Sequence, residues 1–128
     1  MTDFSSLIPR DKFDVSSVEK AARVGFPDLN PILSELLEWL QDPNWPIFTS
    51  MAQLLRQADD EIIPHIKRVL EGEDGIWKHS ILQSLLLEMD TKILAQLKFE
   101  LQNLVDNPSK NDVDEDAHSL AILVLRRC

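Results

Sequence analysis

Three carboxylates at alternating positions, Asp112-x-Asp114-x-Asp116, have the spacing with which a calcium-binding loop begins. Such a loop also requires Gly at its sixth position for a sharp turn and Glu at its twelfth to close on the ion. Ala117 and Leu123 stand there, so the code fails. An acidic cap for a following helix accounts for the same residues. The three histidines, His65, His79 and His118, fall in separate helical stretches. None has a His or Cys three or four residues away, the spacing that sets two zinc ligands on one helix face. No metal site and no cofactor is expected. Glycine-rich phosphate loops, nucleophile elbows and metalloprotease motifs are absent from the sequence. Cys128, the one cysteine, is last in the chain. Arg126 and Arg127 favour its thiolate, but a fraying terminus gives a nucleophile no fixed position, and it reads as inert. The single constellation suited to a small ligand or to acid–base work is His79, Arg56 and Glu88, if the fold gathers them into one groove.

A second pattern concerns architecture. Asp42-Pro43-Asn44-Trp45 recurs 32 residues later as Asp74-Gly75-Ile76-Trp77. Upstream, Pro31-Ile32-Leu33-Ser34-Glu35-Leu36-Leu37-Glu38 aligns with Pro64-His65-Ile66-Lys67-Arg68-Val69-Leu70-Glu71 at an offset of 33. Each unit reads as a helix opening near a proline, a turn bearing Asp and Trp, and a second helix. This period and content mark an α-solenoid. Asp42 and Asp74 are expected to cap the second helix of each unit. Trp45 and Trp77 then fall in its first turn, where a ring wedges between stacked units. A catalytic aspartate or a ligand-stacking tryptophan is the competing reading of those four positions.

Composition bounds the rest. A chain of 128 residues forms one domain, residues 1–128, able to bury roughly two-thirds of its unfolded surface. Abundant Leu, three Gly and no Tyr favour helix over sheet. Thirteen Lys and Arg oppose 22 Asp and Glu, giving a net charge of −9. The cations are scattered, with no stripe to track phosphates, so nucleic-acid binding is disfavoured. A basic protein partner suits the charge. The residues from Met1 to Ser6 lack the basic and apolar regions of a signal peptide. No apolar run reaches the roughly 18 residues of a membrane span. With one cysteine, a reducing, cytoplasmic setting is expected.

The hydrophobic periodicity predicts about seven helices and no strand. Residues 1–13 form a leader in which Leu7-Ile8-Pro9 lies over the first helix. That helix covers Val15–Val24, capped by Asp14 and stopped by Gly25, with Val15, Val18, Ala21 and Ala22 inward. The second runs over Pro31–Leu40 from an Asn30 cap, with Leu33, Leu36, Leu37 and Leu40 inward. The third, Pro46–Ala58, buries Phe48, Met51, Ala52 and Leu55. Asp59, Asp60 and Glu61 open the fourth, whose inner face is Ile62, Ile63, Ile66, Val69 and Leu70. The fifth, Gly75–Met89, sets Trp77, Ile81, Leu82, Leu85, Leu86 and Met89 inside, and Lys78, His79, Gln83, Ser84 and Glu88 outside. A sixth reaches from Asp90 or Thr91 to Asp106, burying Leu94, Leu97, Leu101, Leu104 and Val105. Residues 107–114 read as an acidic surface loop, and a last helix spans Glu115–Arg126 with Ala117, Leu120, Ala121 and Val124 inward.

Leu7-Ile8-Pro9-Arg10-Asp11-Lys12-Phe13-Asp14, Trp39-Leu40-Gln41-Asp42-Pro43-Asn44-Trp45-Pro46 and Ile76-Trp77-Lys78 resemble a family of small bacterial domains of unknown function. The resemblance implies a bacterial source and an all-α, HEAT-like α-α superhelix, a right-handed stack of antiparallel helix pairs. It brings no established active site. By analogy, some small acidic domains of this type look like immunity proteins of toxin systems. In such a stack the second helices form a continuous face, here carrying Gln53, Arg56 and Gln57 with Lys78, His79 and Gln83. That polar face is the expected protein-binding surface. Trp39, at the one-residue insertion between the units, is expected to pack against the turn or to stand partly outward.

Overall fold

The computed structural model describes residues 4–128. Among them are nine α-helices, short 3₁₀ turns and no strand. No helix is long and apolar enough to cross a membrane among the described residues. The chain divides into two compact units, the first ending at Ile62 and the second formed by Ile63–Cys128.

In the first unit a 3₁₀ turn, Phe4–Ser6, leads into the apolar strip, where Leu7 and Pro9 are buried. Residues 1–3 of the expected leader lie outside the described residues. The strip is pinned at its end, because Ile47 N–H donates to Lys12 O at 3.1 Å. Helix α1, Val15–Val24, matches its expected bounds. Asp14 caps it, accepting from Ser17 N–H at 3.3 Å and from Ser17 Oγ at 2.7 Å. That capping draws Ser17 into the interior beside Val18 and Ala21, while Ala22 is exposed, contrary to expectation. Gly25 stops the helix at φ 72°, ψ −172°, backbone that only glycine adopts easily.

The second expected helix is three pieces in series: a 3₁₀ turn Asn30–Ile32, α2 Leu33–Leu37 and a 3₁₀ turn Glu38–Leu40. Leu33, Leu36, Leu37 and Leu40 are all buried, as the periodicity requires. Asn30 does not cap; it sits inside the first turn, and its Oδ1 is buried with no hydrogen-bond partner. Helix α3, Phe48–Leu55, packs on α1 and α2. Met51, Ala52 and Leu55 are buried, but Phe48 is only half-buried, because Ile47, one residue earlier, takes the inner place. A 3₁₀ turn, Asp60–Ile62, ends this unit.

The second unit opens with α4, Ile63–Glu71, with Pro64 in its first turn, where no amide donor is lost. Helix α5, Gly75–Ile81, continues into a wide π turn, Leu82–Leu86. The expected sixth helix is two: α6, Thr91–Ala95, capped by Asp90, and α7, Lys98–Asp106. The chain tightens between them, with Gln96 and Leu97 donating three residues back. Helix α8, Lys110–Asp114, occupies the expected surface loop, and α9, Ala117–Leu125, follows after Asp116 at φ 61°. Helix α7 packs on α4 and α9, and α5 packs on α4, α8 and α9.

Candidate functional site

The densest polar cluster in the second unit lies where α5 meets α8 and the start of α9. Asp74 begins it, extended at its backbone and accepting from Trp77 N–H at 3.1 Å, which caps α5 as expected. Gly75 is buried, and its N–H donates to Asn111 Oδ1 at 2.6 Å. Any side chain at Gly75 would meet Asn111, whose backbone oxygen lies 2.8 Å from the Cβ position. Glycine is required here by the close approach of α8.

One turn later, Lys78 Nζ donates to Asp112 Oδ1 at 2.7 Å, with each side chain 5% exposed. Asp112 also completes a reciprocal cap on α8. Its Oδ2 accepts from Ser109 N–H at 2.9 Å, and its N–H donates to Ser109 Oγ at 3.0 Å. Burial alone would raise the Asp112 carboxyl. The hydrogen bond and charge of Lys78 and the two Ser109 bonds outweigh burial, and the group lies below the ordinary carboxylate value of 3.8. His79 Nδ1 donates to Glu115 O at 2.8 Å, and Nε2 faces the Gln83 side-chain amide at 3.2 Å. Chemically, the cluster holds charge in place. Both Asp112 oxygens and His79 Nδ1 are already engaged.

Lys78 is the clear correction. The expected protein-binding face included it, yet the side chain points inward and is buried. Gly75, Ser80 and Ser84 turn inward with it, widening the inner arc of this helix beyond its apolar stripe. Ser80 and Ser84 satisfy their hydroxyls by donating to Ile76 O and Ser80 O, four residues back. Trp77, expected inside, is half-buried. Gln53, Arg56 and Gln57 are exposed in the first unit; Gln83 and Glu88 are exposed and His79 half-buried in the second.

The two Asp-x-x-Trp turns are not equivalent. Asp42 accepts from Asn44 N–H at 2.8 Å, a local Asx turn, and caps no helix. Trp45 precedes α3 instead of lying in its first turn, and its ring packs on Trp39 with centroids 5.5 Å apart at 59°. Trp77 lies inside α5. Pro46 contributes to the difference: helical backbone is disfavoured for the residue before a proline, and α3 begins only at Phe48.

Residues 7–125 match the description of a domain of unknown function, DUF5071. The chain belongs to the DUF5071 family. No curated protein matches it.

In this DUF5071 domain the remaining candidates from the sequence have local partners. His65 Nδ1 lies 2.7 Å from Arg68 Nη2, and His118 Nε2 donates to Val105 O at 3.1 Å. The calcium-like carboxylates are not brought together as a ligand set: Asp112 is buried, whereas Asp114 and Asp116 are exposed. No group of three or more His, Cys, Asp or Glu suits a metal ion among the described residues. The acids at 112–116 do not cap α9 either, since Asp116 makes no side-chain cap bond. Sequence reasoning missed Asp112 as the partner of Lys78. The Ser109-x-x-Asp112 spacing, directly after Asn107-Pro108, was the available signal for a helix start. Glu100 was also missed: it is buried, with Oε1 3.4 Å from Lys67 Nζ and Oε2 without a hydrogen-bond partner.

Proposed function

We infer that this DUF5071 domain is a non-enzymatic protein-interaction module that docks a basic protein, in the manner of an immunity protein masking a toxin. The observation that carries the reading is the distribution of charge. Residues 1–62 hold eleven Asp and Glu against five Lys and Arg, a net −6, whereas residues 63–128 hold eleven against eight, a net −3. A concentrated field of one sign steers an oppositely charged partner and sets its association rate. Gln53, Arg56 and Gln57 supply exposed, adaptable side chains on α3 of the more acidic unit. Gln83 is a further polar surface position in the second unit, and Lys78 is withdrawn from the docking set.

A HEAT-like solenoid is the architecture we assign to the module. Its support is that each half of the sequence repeat folds as a contacting helix pair within its own unit, α2 with α3 and α4 with α5. The single cysteine supports a reducing, cytoplasmic setting. The ligand-groove alternative needs an open base at His79, whose Nδ1 is held by Glu115 O and whose Nε2 has the Gln83 side chain 3.2 Å away, within the second unit.

The test is capture of partners from native lysate at graded salt, with the unaltered chain beside a charge-reversed variant, Glu35→Lys with Glu38→Lys. The expected result is a stoichiometric basic partner that is lost at high salt and lost by the variant. A complex indifferent to both, or no stoichiometric partner at any salt, overturns the reading.

A further inference from the structure

Helices α7 and α9 run side by side in opposite directions. They pack on one another, and His118 at the start of α9 bonds Val105 O at the end of α7. The outward stripe of α7 is Phe99, Gln102 and Asp106, and that of α9 is Ser119, Leu123 and Arg126, all exposed. Their spacings of three and four residues place each set on one face of its helix. Phe99 is 79% exposed and Leu123 45%, within a unit that buries most of its other large apolar side chains. Aromatic rings and arginine are the groups in which protein interfaces are enriched, and this surface carries both.

Charge along this face is polarised. Lys98 and Arg126 stand at one end of the helix pair; Asp106 and Asp116 stand at the other, and all four are exposed. A surface with opposite charges at its two ends is complementary to itself after a half-turn. The two-fold axis would pass near Gln102, with each Phe99 ring about three residues, or roughly 5 Å, from it. We propose that the α7/α9 face is an isologous contact with a second copy of this chain, Lys98 and Arg126 of each copy meeting Asp106 and Asp116 of the other around the two Phe99 rings. The net charge of −9 per copy opposes approach. At physiological salt that repulsion is screened beyond about 8 Å, and the local pairing decides.

The experiment is sedimentation velocity on the full chain across concentration, with helical circular dichroism confirming that each variant is folded. The native chain is expected to show a monomer–dimer equilibrium, weakened at least about tenfold by Phe99→Ser and, as a milder surface change, by Phe99→Gln. Lys98→Glu with Arg126→Glu is expected to be monomeric, as is Asp106→Lys with Asp116→Asn. An equimolar mixture of those two charge variants is expected to dimerise again, because acid then faces base at both ends. A native chain that stays monomeric to about 1 mM overturns the proposal and leaves the face to another protein or to solvent. So does a dimer indifferent to both Phe99 changes, or a mixture of charge variants that stays monomeric.

Discussion

Lys78 and Asp112, 34 residues apart in the chain, bring a buried ammonium and a buried carboxylate to 2.7 Å and so fasten α5 to α8. Removing one partner strands the other charge in a medium that solvates it poorly. Lys78→Ala or Asp112→Ala is expected to cost about 3–5 kcal/mol, read as a lowered midpoint in urea. Lys78→Met with Asp112→Leu removes both charges and is expected to recover most of that loss, short by roughly 1 kcal/mol for the broken cap with Ser109. A single variant within about 0.5 kcal/mol of the native chain would show that the pair does not hold the helices together.

Acid should weaken the first unit through Asp14. Its carboxyl is held at about 2, chiefly by the Ser17 hydroxyl and the Arg10 amide, against an ordinary value of 3.8. The unfolded chain therefore binds a proton there before the folded chain does. The stabilisation is complete above the ordinary value and drains away as pH falls through it toward about 2. Asp14→Asn should flatten the stability profile in that window. A carboxyl resonance of Asp14 titrating near its ordinary value would contradict the capping geometry.

Gly25 and Gly75 resist substitution for different reasons. At Gly25, with φ 72° and nothing within 4 Å of a Cβ, the obstacle is backbone strain, of order 1–3 kcal/mol for Gly25→Ala. At Gly75 the obstacle is a neighbour, the Asn111 backbone oxygen 2.8 Å from a Cβ. Gly75→Ala should cost about 1–3 kcal/mol and loosen α8 in particular. Hydrogen exchange distinguishes the two, because only the second should raise exchange across 109–115.

Trp39 and Trp45 form a tilted ring pair within the first unit. A double-mutant cycle with Trp39→Leu and Trp45→Leu should give a coupling of about 0.5–1.5 kcal/mol. Strict additivity would mean that the rings share a neighbourhood without sharing energy.

The parts of this fold legible in the sequence are those where apolar spacing and local capping agree. Asp14, the Val15–Val24 helix and Gly25 are one example, and the Leu33, Leu36, Leu37 and Leu40 stripe is another. Helix α8 was hidden because Lys110–Asp114 is short and polar, and its stability comes from a cap and from Lys78 across the unit. Periodicity assigns a lysine to the solvated side; only a distant aspartate can draw one inside. The Trp45 and Trp77 turns look alike in letters, but Pro46 follows the first and Lys78 the second, and backbone sterics help to separate them.

Between Leu82 and Leu86 the helix widens, and Leu87 N–H reaches five residues back to Leu82 O at 3.1 Å. Elsewhere in a helix, an added or lost residue rotates everything beyond it by about 100° and throws the inner side chains outward. A wide turn absorbs that residue locally, and the segments on either side keep their facing. Insertions and deletions within this stretch of the family should therefore gather here, at a built-in slack point in chain length.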